Sequence, residues 1–180
     1  MFIVLEGIDC SGKSSVTETL ANKLGGVAYA TPPEKYRSLR KKIDFESNLG
    51  SHYEFYRQAV IEASTEISQM LATGTLVVCD RYWLSTLVYH RAGGMIIDQK
   101  EFAQIVQPDL TVFLVVSPET QKKREDSRKT GNKGNLDGVQ EILTNLYWQA
   151  LMESKLPFLV VHTDNITTDQ CSNIIAAALT

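Results

Sequence analysis

The chain has 180 residues, a mass of 20.1 kDa and a formal charge of −3 at neutral pH. Hydrophobic residues make up 43% and charged residues 22%, which is typical of a folded globular protein and excludes a largely disordered chain. The negative net charge argues against a protein that coats nucleic acid or that charge alone holds on a membrane. This length predicts a single domain.

Cysteines and apolar runs indicate the cellular compartment. Cys10, Cys79 and Cys171 are widely spaced and form no CxxC pair, so the sequence predicts neither a disulfide framework nor a zinc site. The first apolar run has no basic flank and ends at Glu6, which predicts a strand and not a signal peptide. The run at 110–116 is far too short for a membrane helix. We therefore expect a cytoplasmic protein.

Five short runs rich in β-branched and aromatic residues recur along the chain, at 2–5, 27–30, 75–79, 110–116 and 158–161. They lack polar alternation, which is typical of parallel strands buried on both faces. The stretches between them have helical spacing. This alternation predicts an α/β three-layer sandwich, with a five-stranded parallel sheet and helices on both faces. The polar, glycine-bearing segment 125–138 is predicted to be a mobile loop, or small lid.

A phosphate-binding motif follows the first predicted strand. Residues 7–14, GIDCSGKS, satisfy the P-loop pattern GxxxxGK[ST] and lead into a helical pattern. Glycines permit a tight turn whose N–H groups surround a phosphate at a helix N-terminus. Lys13 would then reach the β- and γ-phosphates, and Ser14 would bind Mg²⁺. We predict an ATP site formed by Gly7, Ile8, Asp9, Cys10, Ser11, Gly12, Lys13, Ser14 and Ser15.

The run at 75–79 leads into Asp80, Arg81 and Tyr82. A carboxylate at the carboxyl end of a strand beside a P-loop can hold Mg²⁺, directly or through water. Asp80 can alternatively cap a short helix that begins near Trp83. Because an unpaired charge near a buried sheet is costly, Arg81 is expected to have an anionic partner, and a phosphate could be that partner.

A P-loop predicts nucleotide binding but not the reaction, and two functional classes are compatible with it: a GTPase switch and a phosphoryl-transfer enzyme. A GTPase switch needs an NKxD motif, and residues 132–135, NKGN, lack the aspartate and follow no predicted strand. A phosphoryl-transfer enzyme needs cationic groups that neutralise the migrating phosphoryl. Arg124, Arg128, Lys129 and Lys133 lie in or beside segment 125–138. They are either a solvated basic face or part of a lid, and their position after the fourth strand favours the lid.

The segments FIVLEGIDCSGKSS, CDRYWLST and PDLTVFLVVSPE together resemble the thymidylate kinase family of nucleoside monophosphate kinases, over nearly the whole chain. The TPP turn at 31–33 and the FY pair at 55–56 look closest to the branch that includes mitochondrial-type UMP-CMP kinases. The resemblance implies a P-loop NTPase fold, a lid over ATP, Mg²⁺, transfer of the γ-phosphoryl group to a nucleoside monophosphate, and a homodimer.

Functional residues follow from the same resemblance. It implies that Asp9 lies near the acceptor, that Phe55 stacks on a pyrimidine, and that Arg81 lies between the two phosphates. The catalytic set is then Lys13, Arg81, Arg124 and Arg128, and the metal set is Ser14 and Asp80. The predicted acceptor-binding set is Asp9, Arg37, Phe55, Tyr56, Arg81 and Tyr89. Phe55 and Tyr56 could instead be core residues of a helix.

The chain departs from the family pattern at two acceptor-side arginines. The REPGG-like segment is replaced by ATPPE at 30–34, and Ala59 stands four residues after the stacking phenylalanine. Arg57 lies two residues early, on a different side of a helix. Arg37 and Arg40 are the candidates for the missing charge.

These features predict an ATP- and Mg²⁺-dependent pyrimidine nucleoside monophosphate kinase, with dTMP as the leading acceptor and UMP, CMP or their deoxy forms as alternatives. A deoxynucleoside kinase with Glu34 or Asp9 as general base is a second hypothesis, and an ATP-binding regulatory module is a third. His52, His90 and His162 lack metal-ligand spacing and are interpreted as structural. His90 is also a candidate for lining the acceptor pocket.

Overall fold

The computed structural model describes residues 1–127 and 139–179. Its strands are β1 (Phe2–Glu6), β2 (Val27–Ala30), β3 (Val77–Asp80), β4 (Leu110–Val115) and β5 (Phe158–His162). They form one parallel sheet in the order β2-β3-β1-β4-β5. The five predicted strands are confirmed, and since β1 and β3 are neighbours, the phosphate-binding loop and Asp80 emerge side by side.

Seven α-helices surround this sheet in the described part of the chain: α1 (Lys13–Leu24), α2 (Arg37–Glu46), α3 (Leu49–Ala72), α4 (Trp83–Ala92), α5 (Pro118–Ser127), α6 (Val139–Ser154) and α7 (Thr168–Ala177). Strand β1 divides the core, because successive side chains point to opposite faces. Phe2 and Val4 pack with residues of α3, α4 and α6, whereas Ile3 and Leu5 pack with residues of α1 and α7. The result is the predicted three-layer sandwich.

The predicted lid differs from the structure at its first residues. Helix α5 continues to Ser127, so residues 125–127 of the predicted loop are helical. The Ser127 hydroxyl donates to the carbonyl oxygen of Arg124 within this helical turn. The remainder of the predicted lid, 128–138, lies outside the described residues. Within the described part of the chain, no helix is long and apolar enough to cross a lipid bilayer.

Candidate active site

The loop between β1 and α1 has the tight backbone that the motif predicts. Gly7 and Gly12 have φ values of 145° and 98°, and a Cβ atom at Gly7 would lie 2.5 Å from the carbonyl oxygen of Leu114. Glycine is therefore required at Gly7, for both its conformation and its close contact with β4.

Neighbouring elements hold this loop from outside through its carbonyl groups. The carbonyl of Asp9 accepts from Gln121 at 3.0 Å, and that of Cys10 accepts from Arg124 at 3.1 Å. The Thr163 hydroxyl donates to the carbonyl of Ser11 at 3.0 Å. These bonds fix the backbone of a phosphate cradle before any ligand binds. They also place Arg124 beside the cradle.

Lys13 lies buried within the loop. Its Nζ donates to the carbonyl oxygen of Ile8 at 2.6 Å and contacts the Ser11 hydroxyl at 3.4 Å. Burial, followed by the positive charge of Arg81, lowers the pKa of Lys13 to about 7, although Asp80 opposes the shift. An anion inside the loop would stabilise this poorly solvated ammonium group. The arrangement therefore favours phosphate.

Ser14 and Asp80 meet at the carboxyl edge of the sheet. The Ser14 hydroxyl donates to Oδ2 of Asp80 at 2.5 Å. Among the described residues, Oδ1 of Asp80 is buried without a hydrogen-bond partner, which is costly unless a ligand satisfies it. Oxygen ligands of this kind suit Mg²⁺. The described chain contains no cluster of three His, Cys, Asp or Glu residues that could hold a metal alone, so nucleotide phosphates and water would complete the coordination.

The cap of helix α4 is Glu6, which the sequence analysis interpreted only as the end of an apolar run. Its buried carboxylate accepts from the backbone N–H groups of Tyr82 at 2.9 Å and Ser85 at 3.2 Å, and from the Ser85 hydroxyl at 2.5 Å. Burial raises the pKa of Glu6, and the Ser85 hydrogen bond and the charge of Arg81 partly offset that rise. The alternative role of Asp80 as this helix cap is therefore wrong. The feature of the sequence that could have indicated this role is the position of Glu6, an acidic residue at the end of a buried strand.

Arg81 is held between the phosphate loop and a cavity. One guanidinium nitrogen donates to the carbonyl of Gly7 at 3.1 Å and to the Ser85 hydroxyl at 3.0 Å. The other donates to the Asp9 carboxylate and to the Tyr89 hydroxyl at 3.3 Å. Tyr147, buried on α6, adds a hydroxyl 2.8 Å from that of Ser85. Arg81 therefore has a fixed position at the cradle.

A cavity of about 230 Å³ extends from Arg81. Asp9, Arg81, Ser85 and Tyr89 form one part of its lining, and their mutual bonds place them next to the phosphate loop. The other part is formed by Arg40, Asp44, His52, Tyr56, Thr86 and His90. The structure thus brings together Asp9, Tyr56, Arg81 and Tyr89 of the predicted acceptor-binding set, and also His90.

Helix α3 presents a different face to the cavity than the sequence analysis assumed. His52 and Tyr56 line the cavity, and their spacing of four residues places them on one side of a helix. Phe55 instead packs edge-on against Tyr36, with ring centroids 5.7 Å apart, and lines a separate surface groove. The structure does not bring Phe55 to Arg81. His52, Asp44 and Thr86 are cavity residues that were not predicted as acceptor-binding from the sequence.

The candidate acceptor-side arginines have different positions. Arg40 lines the cavity, and its Nε donates to the Tyr56 hydroxyl at 3.0 Å. Arg57 pairs with Glu54 at 2.8 Å and is not part of the cavity wall. Arg37 is the first residue of α2, and its side chain lies outside the described part of the structure. Arg128, in the predicted catalytic set, also lies outside the described residues.

Comparison with known proteins connects this geometry to a family. A sequence model of the family described as thymidylate kinase matches residues 5–170. The chain is 32% identical to a probable thymidylate kinase of Methanococcus aeolicus, over 94% of this chain and 90% of the relative. It is 31% identical to that of Staphylothermus marinus, over 82% and 80% of the two chains.

The fold is also shared with a solved structure. Thymidylate kinase from Candida albicans superposes with a TM-score of 0.82 at 20% identity, and the match covers 99% of this chain and 90% of that one. Together with the family match over residues 5–170, this confirms the fold predicted from the motifs. The chain belongs to the thymidylate kinase family of nucleoside monophosphate kinases.

Proposed function

We propose that the protein transfers the γ-phosphoryl group of ATP to dTMP, giving dTDP and ADP. The observation that carries this proposal is the position of Arg81, which contacts the carbonyl of Gly7 in the phosphate loop at 3.1 Å and also lines the cavity. A single guanidinium can therefore contact a donor phosphate on one side and an acceptor phosphate on the other. The relatives named thymidylate kinase support dTMP as the acceptor.

The chemistry requires positioning and charge neutralisation more than a strong base. A phosphate monoester is already largely ionised at neutral pH, since its second pKa is about 6. Lys13 and Arg81 would stabilise the charge that spreads over the transferring phosphoryl group. Arg124, which is bonded to the carbonyl of Cys10 at 3.1 Å, is close enough to the cradle to contribute. Arg128 completes the proposed catalytic set.

Ser14 and Asp80 would hold the metal, because their oxygens adjoin the phosphate loop and one carboxylate oxygen is buried without a partner among the described residues. When bound, Mg²⁺ would neutralise the negative charge of the β- and γ-phosphates. Ser14 follows Lys13 in the first turn of α1, so the metal and the ammonium group would contact the same triphosphate.

An anionic acceptor suits the cavity better than a neutral nucleoside. Arg40 and Arg81 both line the cavity, and Asp9, a candidate general base for a nucleoside hydroxyl, forms an ion pair with Arg81. We further propose a cytoplasmic homodimer. The three cysteines are free and buried, as expected in a reducing compartment, and dimerisation is the arrangement that the family resemblance implies.

The test is an acceptor panel of dTMP, UMP, CMP, dCMP and thymidine, each incubated with ATP and Mg²⁺, with chromatographic measurement of ADP and phosphorylated acceptor. We expect the highest kcat/KM with dTMP. Lys13→Met should abolish transfer, whereas Lys23→Met, which changes an exposed lysine of the same helix, should not. Phosphorylation of thymidine without dTMP, or ADP formation that no acceptor stimulates, would overturn the proposal.

A further inference from the structure

The end of strand β1 holds Arg81 from three consecutive positions. The carbonyl oxygen of Leu5 accepts from the backbone N–H of Arg81 at 3.0 Å. The carboxylate of Glu6 accepts from the next backbone N–H, that of Tyr82, at 2.9 Å. The carbonyl oxygen of Gly7 accepts from the guanidinium group at 3.1 Å. The backbone and the side chain of Arg81 are therefore both fixed to one strand end, which continues into the phosphate loop.

Arg81 has a backbone conformation that needs this support. Its φ angle is 65°, in the left-handed region that a residue with a Cβ atom adopts only at an energetic cost. On the other side, its carbonyl oxygen accepts from the Thr31 hydroxyl at 2.9 Å. A relaxed backbone at this position would point the side chain in another direction. The contacts on both sides of Arg81 therefore determine where its guanidinium group lies.

Glu6 also reaches the guanidinium group through a hydroxyl group. Ser85 donates its one hydroxyl proton to Oε2 of Glu6 at 2.5 Å, so the two lone pairs of the Ser85 oxygen can accept. One guanidinium nitrogen of Arg81 lies 3.0 Å from this oxygen, and the Tyr147 hydroxyl lies 2.8 Å from it. The carboxylate thus orients the Ser85 hydroxyl as an acceptor for Arg81.

The groups bonded to the Glu6 carboxylate in the described part of the chain are all donors. Oε1 accepts from the N–H groups of Tyr82 and Ser85, and Oε2 accepts from the Ser85 hydroxyl. A protonated carboxyl group would need an acceptor at one of these positions. Burial raises the pKa of Glu6, whereas these hydrogen bonds and the charge of Arg81 oppose the rise. The donor set therefore suits the ionised carboxylate, whose partner charge is Arg81.

Building on the proposed function, we propose that Glu6 is a positioning residue for phosphoryl transfer, whose negative charge holds the Arg81 guanidinium between the donor and acceptor phosphates. Glu6 is fully buried behind Ser85, so it contacts neither substrate and acts through Arg81. A neutral side chain of the same shape would keep an oxygen for the N–H groups of α4. It would lose the charge that attracts the guanidinium group, and its amide would donate to Ser85 where the carboxylate accepts.

The test is a double-mutant cycle of Glu6→Gln and Arg81→Ala, with kcat and KM measured for dTMP at saturating ATP and Mg²⁺. Glu6→Gln alone should lower kcat roughly 10- to 100-fold, since a shift of about 1 Å in catalytic geometry has effects of this size. In the Arg81→Ala background, the same change should lower kcat less than about threefold, because residues that act as a unit have non-additive effects.

Binding and stability separate this role from a loss of packing. Glu6→Gln should change the Kd of a non-hydrolysable ATP analogue less than about threefold, because Lys13 and the N–H groups of the loop remain in place. Ile175→Val is the matched stability control. This residue is fully buried on α7, so the substitution lowers the melting temperature, but it should leave kcat unchanged.

A second variant covers the case in which Glu6→Gln does not fold. Ser85→Ala removes the hydroxyl that connects the carboxylate to Arg81 and should show the same non-additivity with Arg81→Ala. If turnover of Arg81→Ala is too slow to measure, the Kd of dTMP from calorimetry replaces kcat in the cycle. Glu6→Gln should then weaken dTMP binding only when Arg81 is present.

A kcat of Glu6→Gln that equals that of the unmodified enzyme overturns the inference and leaves the proposed function intact. Equal losses from Glu6→Gln with and without Arg81 also overturn it, because the carboxylate would then act independently of the guanidinium group. Failure of the unmodified protein to phosphorylate dTMP overturns the proposed function, and the inference with it.

Discussion

The charge of Lys13 is coupled to nucleotide binding. Its ammonium group is buried against the carbonyl of Ile8, and burial together with the charge of Arg81 lowers its pKa to about 7. A triphosphate placed next to this group favours its charged form and raises the pKa again. Binding of ATP should therefore be accompanied by proton uptake at and above neutral pH.

The size of the effect on ATP binding follows from the pKa of Lys13, which is about 7. The free site is about half charged at pH 7 and about one tenth charged at pH 8. If the bound lysine stays charged, the Kd for ATP rises about twofold at pH 7 and about tenfold at pH 8, relative to acidic solution. The tenfold change corresponds to about 1.4 kcal/mol. At pH 8, binding should take up about 0.9 proton from Lys13.

Calorimetric titration with a non-hydrolysable ATP analogue and Mg²⁺, in two buffers of different ionisation enthalpy, measures both quantities. Lys13→Met should bind weakly and lose the proton uptake assigned to Lys13. Lys23→Met is the matched control, since this lysine lies on the same helix in an exposed ion pair with Asp169. Proton uptake at pH 8 that is equal in the unmodified protein and in Lys13→Met would refute the reasoning.

Three further predictions concern the metal, the buried network and the cavity wall. Asp80→Asn should raise the Mg²⁺ concentration needed for half-maximal rate by about tenfold or more, because the carboxylate charge is lost; an unchanged Mg²⁺ titration would count against the site. Tyr147→Phe removes the hydroxyl next to Ser85 and should lower the free energy of unfolding in urea by about 1–2 kcal/mol. An unchanged m-value would show that this loss of stability arises in the folded state and not in the denatured state. Tyr56→Leu should raise the KM for dTMP by about tenfold, whereas Phe55→Leu should change it less than about threefold; the reverse order would return the stacking role to Phe55.

The fold and the phosphate loop could be predicted because their signals are local. Each buried parallel strand is a short apolar run, and residues 7–14 contain the complete motif. The pairing of Ser14 with Asp80 was also accessible, since a P-loop strand and the neighbouring acidic strand end at the same edge. Asp80 by itself was ambiguous between metal ligand and helix cap. The ambiguity ends only when Glu6, from another strand, is seen to cap α4.

The acceptor side was less predictable because it depends on helix rotation. Phe55 and Tyr56 are adjacent in sequence, but they point about 100° apart on α3. Both are aromatic, so hydrophobic pattern alone does not tell which one faces the cavity. Their partners decide: Tyr36 packs against Phe55, while Arg40 and Asp44 bond to Tyr56. These contacts join α3 to residues 10 to 20 positions earlier, which no local pattern encodes.

The two parts of the cavity lining differ in what they can contribute to the binding of an acceptor. Arg81 keeps its charge throughout the physiological range, and the buried Glu6 and Ser85 network fixes its position. Every nucleoside monophosphate presents the same phosphate to it, so this contact supplies binding that is common to all acceptors. The rest of the lining, which includes Tyr56 on α3, is then available to the base, the part in which the acceptors differ. Substitution of Arg81 should therefore weaken the binding of all acceptors alike, whereas substitution of Tyr56 should change which base is preferred.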